Sequence, residues 1–275
     1  MAPTLSPDII AAGEILTMAD FLLVHGAWHG GWCWRRVVEI LAGEGHRVFA
    51  PSLTGLGDRA HLLSPDVGLS THVDDVLAVI EAEELADIVL CAHSYGGAVA
   101  TQVADRVPQK IGTLVFLDAL LPQDGRSLLD LDSPERREAI VSRVVETPRG
   151  PVLPPAPAAL YALAEPQDVA WVDRRCVPQA LRTYTDPAAL TGAWMQIKVL
   201  AYACTLRFPA PDFRGLAAQL AKDPRFTIRE LASGHDAMID VPQDVADLLL
   251  SSAETGRAAK ATCAEPAETP EGTAS

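Results

Sequence analysis

"LCAHSYGGAVA", residues 90–100, sets one serine between an apolar run and a string of small residues. To its left, Asp87-Ile88-Val89-Leu90-Cys91-Ala92 reads as a short apolar strand, the kind buried on both faces of a parallel sheet. To its right, Gly96 to Ala104 reads as a helix with a small-residue face. Strand must become helix within two or three residues, and Ser94 stands at that corner. Ala92 and Gly96 flank it at two residues on either side, which suits a backbone folded back on itself with no room for larger Cβ groups. The pattern A-x-S-x-G is a variant of the G-x-S-x-G turn, which exposes a serine oxygen and aims the next N–H, here that of Tyr95, the same way. A serine at a helix start is also a common N-cap. The motif alone supports both readings equally, so position in the chain must decide.

Working outward, strands and helices alternate. Phe21 to His25 is an apolar strand running into "GAWHGG"; residues 32–43 read as a helix, 47–52 as a strand and 71–85 as an amphipathic helix. Thr113 to Asp118 is another apolar strand. Alternation of this kind implies a parallel sheet covered by helices on both faces. From 122 to 195 the pattern changes: prolines cluster in "ETPRGPVLPPAPAAL" between helical stretches with no strand, which reads as a helical cap. The core resumes with a strand at 198–203, a helix near 212–222, a strand at 226–231 and a last helix at 242–252. The expected organisation is an N-terminal extension (1–19), core (20–121), cap (122–195), core again (196–253) and a disordered tail (254–275) poor in bulky apolar groups.

Composition narrows the partners. Hydrophobic residues make up 49% of 275, enough for a large single core, and no apolar run reaches bilayer-spanning length. The first seventeen residues lack the basic and apolar regions of a secretory signal. Five cysteines without a spacing pattern favour reduced thiols and a cytoplasmic protein. A net charge of −14 argues against nucleic acid or an anionic membrane as partner. The expected partner is a small molecule, and a homodimer is compatible with the sequence.

A serine needs a base to take its proton and an acid to orient that base. His235, in "ASGHDAMID", falls in the loop after the last strand, at the same carboxyl edge of the sheet as the serine corner. A histidine picked at random is more often a solvated loop residue. Its placement in the last loop, after the serine in chain order, reverses that preference.

Together, "FLLVHGAWHGGWCW", "PSLTGLGDRAH", "CAHSYGG", "LDALLP" and "GHDAM" resemble the α/β-hydrolase superfamily. More narrowly they resemble its branch of plant methylesterases, plant hydroxynitrile lyases and bacterial carboxylesterases, including pyrethroid-hydrolysing ones. The resemblance runs from about residue 20 to 253 and is weakest through the cap. It implies an α/β fold with a mostly parallel sheet flanked by helices, and a serine carboxylesterase acting through an acyl-enzyme. Ser94 matches the nucleophile and His235 the base, while the backbone N–H groups of Ala27 and Tyr95 match the oxyanion hole. His25 is read as holding the "HGAW" loop in shape.

The acid departs from the plant pattern, because Cys204 to Arg207 stand where an aspartate is expected. Asp118, ending the strand after the serine helix, is the alternative, since a buried strand-end aspartate is costly unless paired. A turn-capping role for Asp118 stays open, and Asp212 is the reserve acid. Asp236 is expected to point its side chain elsewhere.

The lyases of the branch carry a threonine after the first-strand histidine and a lysine after the catalytic one. Here Gly26 and Asp236 occupy those positions, and a carboxylate there would repel cyanide. Esterase is therefore preferred over a hydroxynitrile-lyase-like reaction, and over a ligand-binding protein on the same fold, which would tolerate a damaged triad. Apolar cap residues imply a pocket for a hydrophobic ester, with Trp28, His29, Trp171 and Trp194 as candidate lining. No nucleotide-binding glycine motif follows a strand. His25 and His29, spaced four apart in a glycine loop without a neighbouring carboxylate in sequence, make a poor zinc site. No metal or cofactor is expected.

Overall fold

The computed structural model describes residues 18–209 and 213–264. Six strands form one parallel sheet: β1 (Asp20–Val24), β2 (Arg47–Phe49), β3 (Ile88–His93), β4 (Ile111–Leu117), and then, beyond the cap, Val199–Thr205 and Phe226–Leu231. Their spatial order is β2-β1-β3-β4 followed by those two. Every residue of β3 is buried, as its unbroken apolar run requires.

Alternation along the strands sends side chains to two cores. Leu22, Val24, Leu90, Ala92, Leu114 and Phe116 face α2 (Leu69–Ala82) and α3 (Gly96–Arg106), while Phe21, Leu23, Cys91 and Val115 face α1 (Arg35–Gly43) and the last helix. The sheet is thus covered on both sides.

The cap holds α4 (Leu128–Leu131), α5 (Pro134–Val141), α6 (Pro166–Asp173) and α7 (Arg182–Thr185). It is not purely helical. β5 (Val152–Leu153) pairs antiparallel with β6 (Gln179–Ala180), Val152 opposite Ala180 and Leu153 opposite Gln179. Two residues per strand carry no alternation signal, and their partners lie far apart in sequence, so local pattern could not reveal them.

The two remaining core strands are β7 (Val199–Thr205) and β8 (Phe226–Leu231), with α8 (Phe213–Leu220) against β7's sheet face and a short α9 (Ala237–Asp240) after β8. The final helix, α10 (Pro242–Ala264), overruns the boundary expected at 253. Its second half is low in bulky apolar residues, yet it is held to the core: Lys260 pairs with Asp87, and Gly256 packs so closely that a Cβ there would lie 2.4 Å from Thr113 Oγ1. Residues 1–17 and 265–275 of the expected extension and tail lie outside the described residues. Among the described residues no helix is long and apolar enough to cross a membrane.

Candidate active site

The carboxyl ends of β1, β3, β4, β7 and β8 share one edge of the sheet, and register brings their loops together. Ala92 pairs with Phe116, His93 with Leu117, and Leu117 with Ala203. The residues just beyond these positions are Ser94 and Asp118.

Ser94 has φ +52°, a left-handed backbone that a non-glycine residue adopts only when its surroundings impose it. Its carbonyl accepts from the N–H groups of Gly97 and Leu120, each at 3.0 Å, which locks the corner. Gly96 has no room for a side chain: a Cβ there would lie 2.7 Å from the His25 carbonyl oxygen. Asp118 repeats the device at the end of β4, with φ +45°.

These turns bring three side chains into one hydrogen-bonded chain. His235 Nε2 lies 3.0 Å from Ser94 Oγ, and His235 Nδ1 lies 2.8 Å from Asp118 Oδ2. Asp118 is fully buried, and Thr205 at the end of β7 donates to it twice, N–H to Oδ1 at 3.0 Å and Oγ1–H to Oδ2 at 2.9 Å. Asp212 lies outside the described residues. Thr205, one of the residues standing where the branch places its acid, serves the acid next door, a role no local pattern in the sequence signals.

Phe208 and Phe213 stack on the His235 ring, at centroid distances of 4.3 and 5.6 Å, and exclude water from that side. Neither was singled out from the sequence. Ser94 and His235 open onto a cavity of about 490 Å³ whose walls include Trp28, Leu128, Leu153, Tyr184 and Phe213. Its lining also includes the charged side chains of Asp132, Arg136 and Arg143, of which Asp132 and Arg136 form a 2.7 Å ion pair.

The loop carrying Ala27 packs onto the serine corner, since a Cβ at Gly26 would lie 3.0 Å from Ser94 Cβ. Among the described residues, neither Ala27 N–H nor Tyr95 N–H has a backbone acceptor. His25 Nδ1 donates to Gly26 O at 2.8 Å, and its Nε2 accepts from Leu53 N–H at 3.0 Å. Burial brings the His25 pKa down to about 3, so the ring is neutral and holds the loop. Tyr95 is anchored in turn, its hydroxyl donating to His72 Nδ1 at 2.8 Å.

Of the four expected lining residues, Trp28 is at the cavity. It straps the cap to the core: its N–H donates to Gln179 Oε1 (2.9 Å), its indole N–H to Leu153 O (3.0 Å), and its carbonyl accepts from Val177 N–H (3.0 Å). The other three lie elsewhere. Trp171 packs on Trp32 under the Arg36 and Arg175 guanidinium groups, and Trp194 packs edge-on against Phe116 in the sheet core. His29 is 2% exposed and pairs with Asp236 at 3.1 Å, so it serves the interior rather than the cavity. Their apolar character was visible in sequence; the element that would bury each was not.

Asp236 does point away from the cavity. Burial would raise its pKa, but His29, with His93 and His235 beyond it, holds it down to about 2. Its charge is answered by His29, which weakens the idea that it would repel an anion in the cavity. One atom each of His93, His235 and Asp236 lie within 4.8 Å of one another, a metal-like spacing. The donor use does not fit a metal, however, because both His235 nitrogens face Ser94 and Asp118 and His93 Nε2 donates to His235 O. Among the described residues the cysteines Cys33, Cys91, Cys176 and Cys204 are free.

Comparison with known proteins agrees with this architecture. The model of a family described as the alpha/beta hydrolase family matches residues 21–248. A carbendazim hydrolyzing esterase of Nocardioides sp. (strain SG-4G) is 42% identical over 240 residues, covering 84% of this chain and 98% of that protein. Methyl jasmonate esterase 1 of Vitis vinifera is 31% identical over 162 residues, covering 54% of this chain and 62% of that protein. Among solved structures, an extracellular alpha/beta-hydrolase from a Paenibacillus species superposes with a TM-score of 0.71 at 22% identity, covering 85% of this chain and 98% of that one.

Proposed function

The chain belongs to the alpha/beta hydrolase family, and we propose from that premise that it is a serine carboxylesterase working through an acyl-enzyme on Ser94. The observation that carries the reading is the unbroken chain Ser94 Oγ, His235, Asp118, with contacts of 3.0 and 2.8 Å at an apolar cavity. His235 Nε2 takes the serine proton as Oγ adds to the ester carbonyl. The carbonyl oxygen becomes an oxyanion, which the N–H groups of Ala27 and Tyr95 receive. Collapse breaks the bond to the alkoxy group, which leaves with the proton from His235. Water then adds to the acyl carbon by the same route and frees Ser94. Asp118 keeps the His235 ring in the tautomer with Nδ1 protonated and stabilises the imidazolium that forms twice per turnover.

The lining supports a hydrophobic carboxylic ester, with any polar end directed toward Asp132, Arg136 and Arg143. A pure ligand-binding role would not need a three-residue proton path aligned at hydrogen-bond distances. We read the site as working without a metal or cofactor and, from the free thiols and the −14 net charge, the protein as cytoplasmic and not a nucleic-acid binder.

The test is a panel of p-nitrophenyl esters, methyl esters of aromatic acids, methyl jasmonate, carbendazim and a pyrethroid offered to purified protein. Hydrolysis of the hydrophobic members that disappears in Ser94→Ala is expected. No turnover on any of them, or undiminished turnover in Ser94→Ala, would contradict the reading.

A further inference from the structure

His29 Nδ1 lies 2.6 Å from Ala27 O and His29 Nε2 lies 3.1 Å from Asp236 Oδ2. A carbonyl oxygen and a carboxylate oxygen only accept, so both ring nitrogens must carry a proton to make both bonds. The ring in this position is an imidazolium, and it is buried together with its carboxylate, at 2% and 0% exposure. Burial would lower the His29 pKa, but Asp236 and the nearby Cys176 raise it well above its ordinary value.

The two ends of this pair sit on the two halves of the reaction centre. Ala27 carries one N–H assigned to the oxyanion. Asp236 follows His235 directly, and its carbonyl accepts from Ile239 N–H (2.8 Å) and Asp240 N–H (3.1 Å), fixing the loop to α9. His93, the residue before Ser94, donates from Nε2 to His235 O at 3.0 Å. The chain therefore closes a ring from the Ala27 loop through His29 and Asp236 to His235, and back through His93 to Ser94.

We propose that His29 and Asp236 are positioning residues, a buried imidazolium–carboxylate strap that fixes the distance between the oxyanion N–H of Ala27 and the base His235. The proposal rests on the esterase reading above. A pair of this kind contributes through geometry: removing either partner leaves the other charge buried and unpaired, and the loop moves to relieve it. The step affected is oxyanion formation, after the ester has bound. The loss falls on kcat with KM little changed.

The groups facing His29 are Asp236, Cys176 (Sγ 3.9 Å from each ring nitrogen), the His93 and Tyr161 rings at 6.1 and 5.9 Å, and His25, whose pKa its charge helps to lower. Trp32 stacks on its other side. Above the His29 pKa the ring keeps one proton and one of the two bonds must break. The strap therefore adds an alkaline fall to kcat, which removal of the Asp236 charge moves toward neutral pH.

The experiment measures kcat and KM of wild type, Asp236→Asn, His29→Gln and Cys176→Ser on one p-nitrophenyl ester from about pH 6 to about pH 10, with melting curves alongside. Asp236→Asn and His29→Gln are expected to lose roughly 10- to 100-fold in kcat, short of the ~10²–10³-fold seen when an oxyanion donor is deleted outright, with KM within about threefold. The alkaline fall should move down by about one pH unit or more in Asp236→Asn and persist in Cys176→Ser. Folding defects are bypassed by nitrogen-15 spectra of the wild-type histidines, where the His29 ring should show two N–H protons at neutral pH. Variants within twofold of wild type in kcat, an alkaline fall that vanishes with Cys176, or a His29 ring with one proton would each overturn the proposal. If the wild type hydrolyses no ester, the failure belongs to the functional reading, and the spectra still decide the charge on His29.

Discussion

Thr205 gives both its N–H and its hydroxyl to the Asp118 carboxylate, at 3.0 and 2.9 Å, while the same carboxylate meets His235 Nδ1 at 2.8 Å. The end of β7, where plant relatives of the branch carry the acid, instead supplies donors to an acid at the end of β4. Asp118→Asn should fold nearly as the parent and lose up to about four orders of magnitude in turnover, as expected when the orienting acid presents the wrong tautomer. Thr205→Val should cost about tenfold, because Asp118 keeps its charge but loses one of the bonds that aims it. Saturating ester kinetics with melting curves measures both; near-parental turnover in Asp118→Asn would remove it from the mechanism.

Tyr95 carries an N–H proposed for the oxyanion, and its hydroxyl donates to His72 Nδ1 at 2.8 Å. Tyr95→Phe should therefore separate the two roles. It leaves His72 Nδ1 buried and unpaired, at about 1–3 kcal/mol of stability, while turnover stays within a few-fold because the N–H is untouched. Urea denaturation and steady-state kinetics read the two effects independently.

Three buried histidines carry depressed pKa values: burial brings His25 to about 3 and His72 to about 4, and pushes His93 well below its ordinary range. In the unfolded chain each takes up a proton near pH ~6.5. Between that value and the folded pKa the unfolded state binds more protons, so stability is complete above pH ~6.5 and falls progressively as pH drops toward about 4. Denaturation midpoints from pH 7.5 to 4.5 should show this slope, and a flat profile would contradict neutral burial of the three rings.

Gly26 stands where cyanohydrin-cleaving relatives of the branch carry threonine, and a Cβ there would lie 2.7 Å from His93 Nδ1. The protein should release no cyanide from mandelonitrile above the spontaneous rate. Gly26→Thr should lower both stability and ester turnover without introducing lyase activity, which a cyanide assay on both proteins checks.

Ser94 and Asp118 were legible because each directly follows a short apolar strand, and His235 because it lies in the loop after β8; a parallel sheet places all such loops on one edge. His29 was legible only as a loop histidine. Its partner Asp236 is 207 residues away, and nothing in either local pattern links them. Trp171 and Trp194 were drawn into the pocket on character alone, whereas packing against Trp32 and Phe116 decides where they lie. β5 and β6 are too short to show a period, and the second half of α10 is too poor in apolar residues to read as packed. In each case the missing information was a tertiary contact, which local periodicity does not encode.

A nucleophilic Ser94 must form a covalent acyl intermediate. Treating the purified protein with an organophosphonate ester and mapping the adduct by peptide mass spectrometry tests this most directly. One phosphonyl group on the peptide containing Ser94, with stoichiometric loss of esterase activity and no labelling of Ser94→Ala, is the predicted result. Labelling at another residue, or inactivation of an otherwise active Ser94→Ala protein, would contradict it.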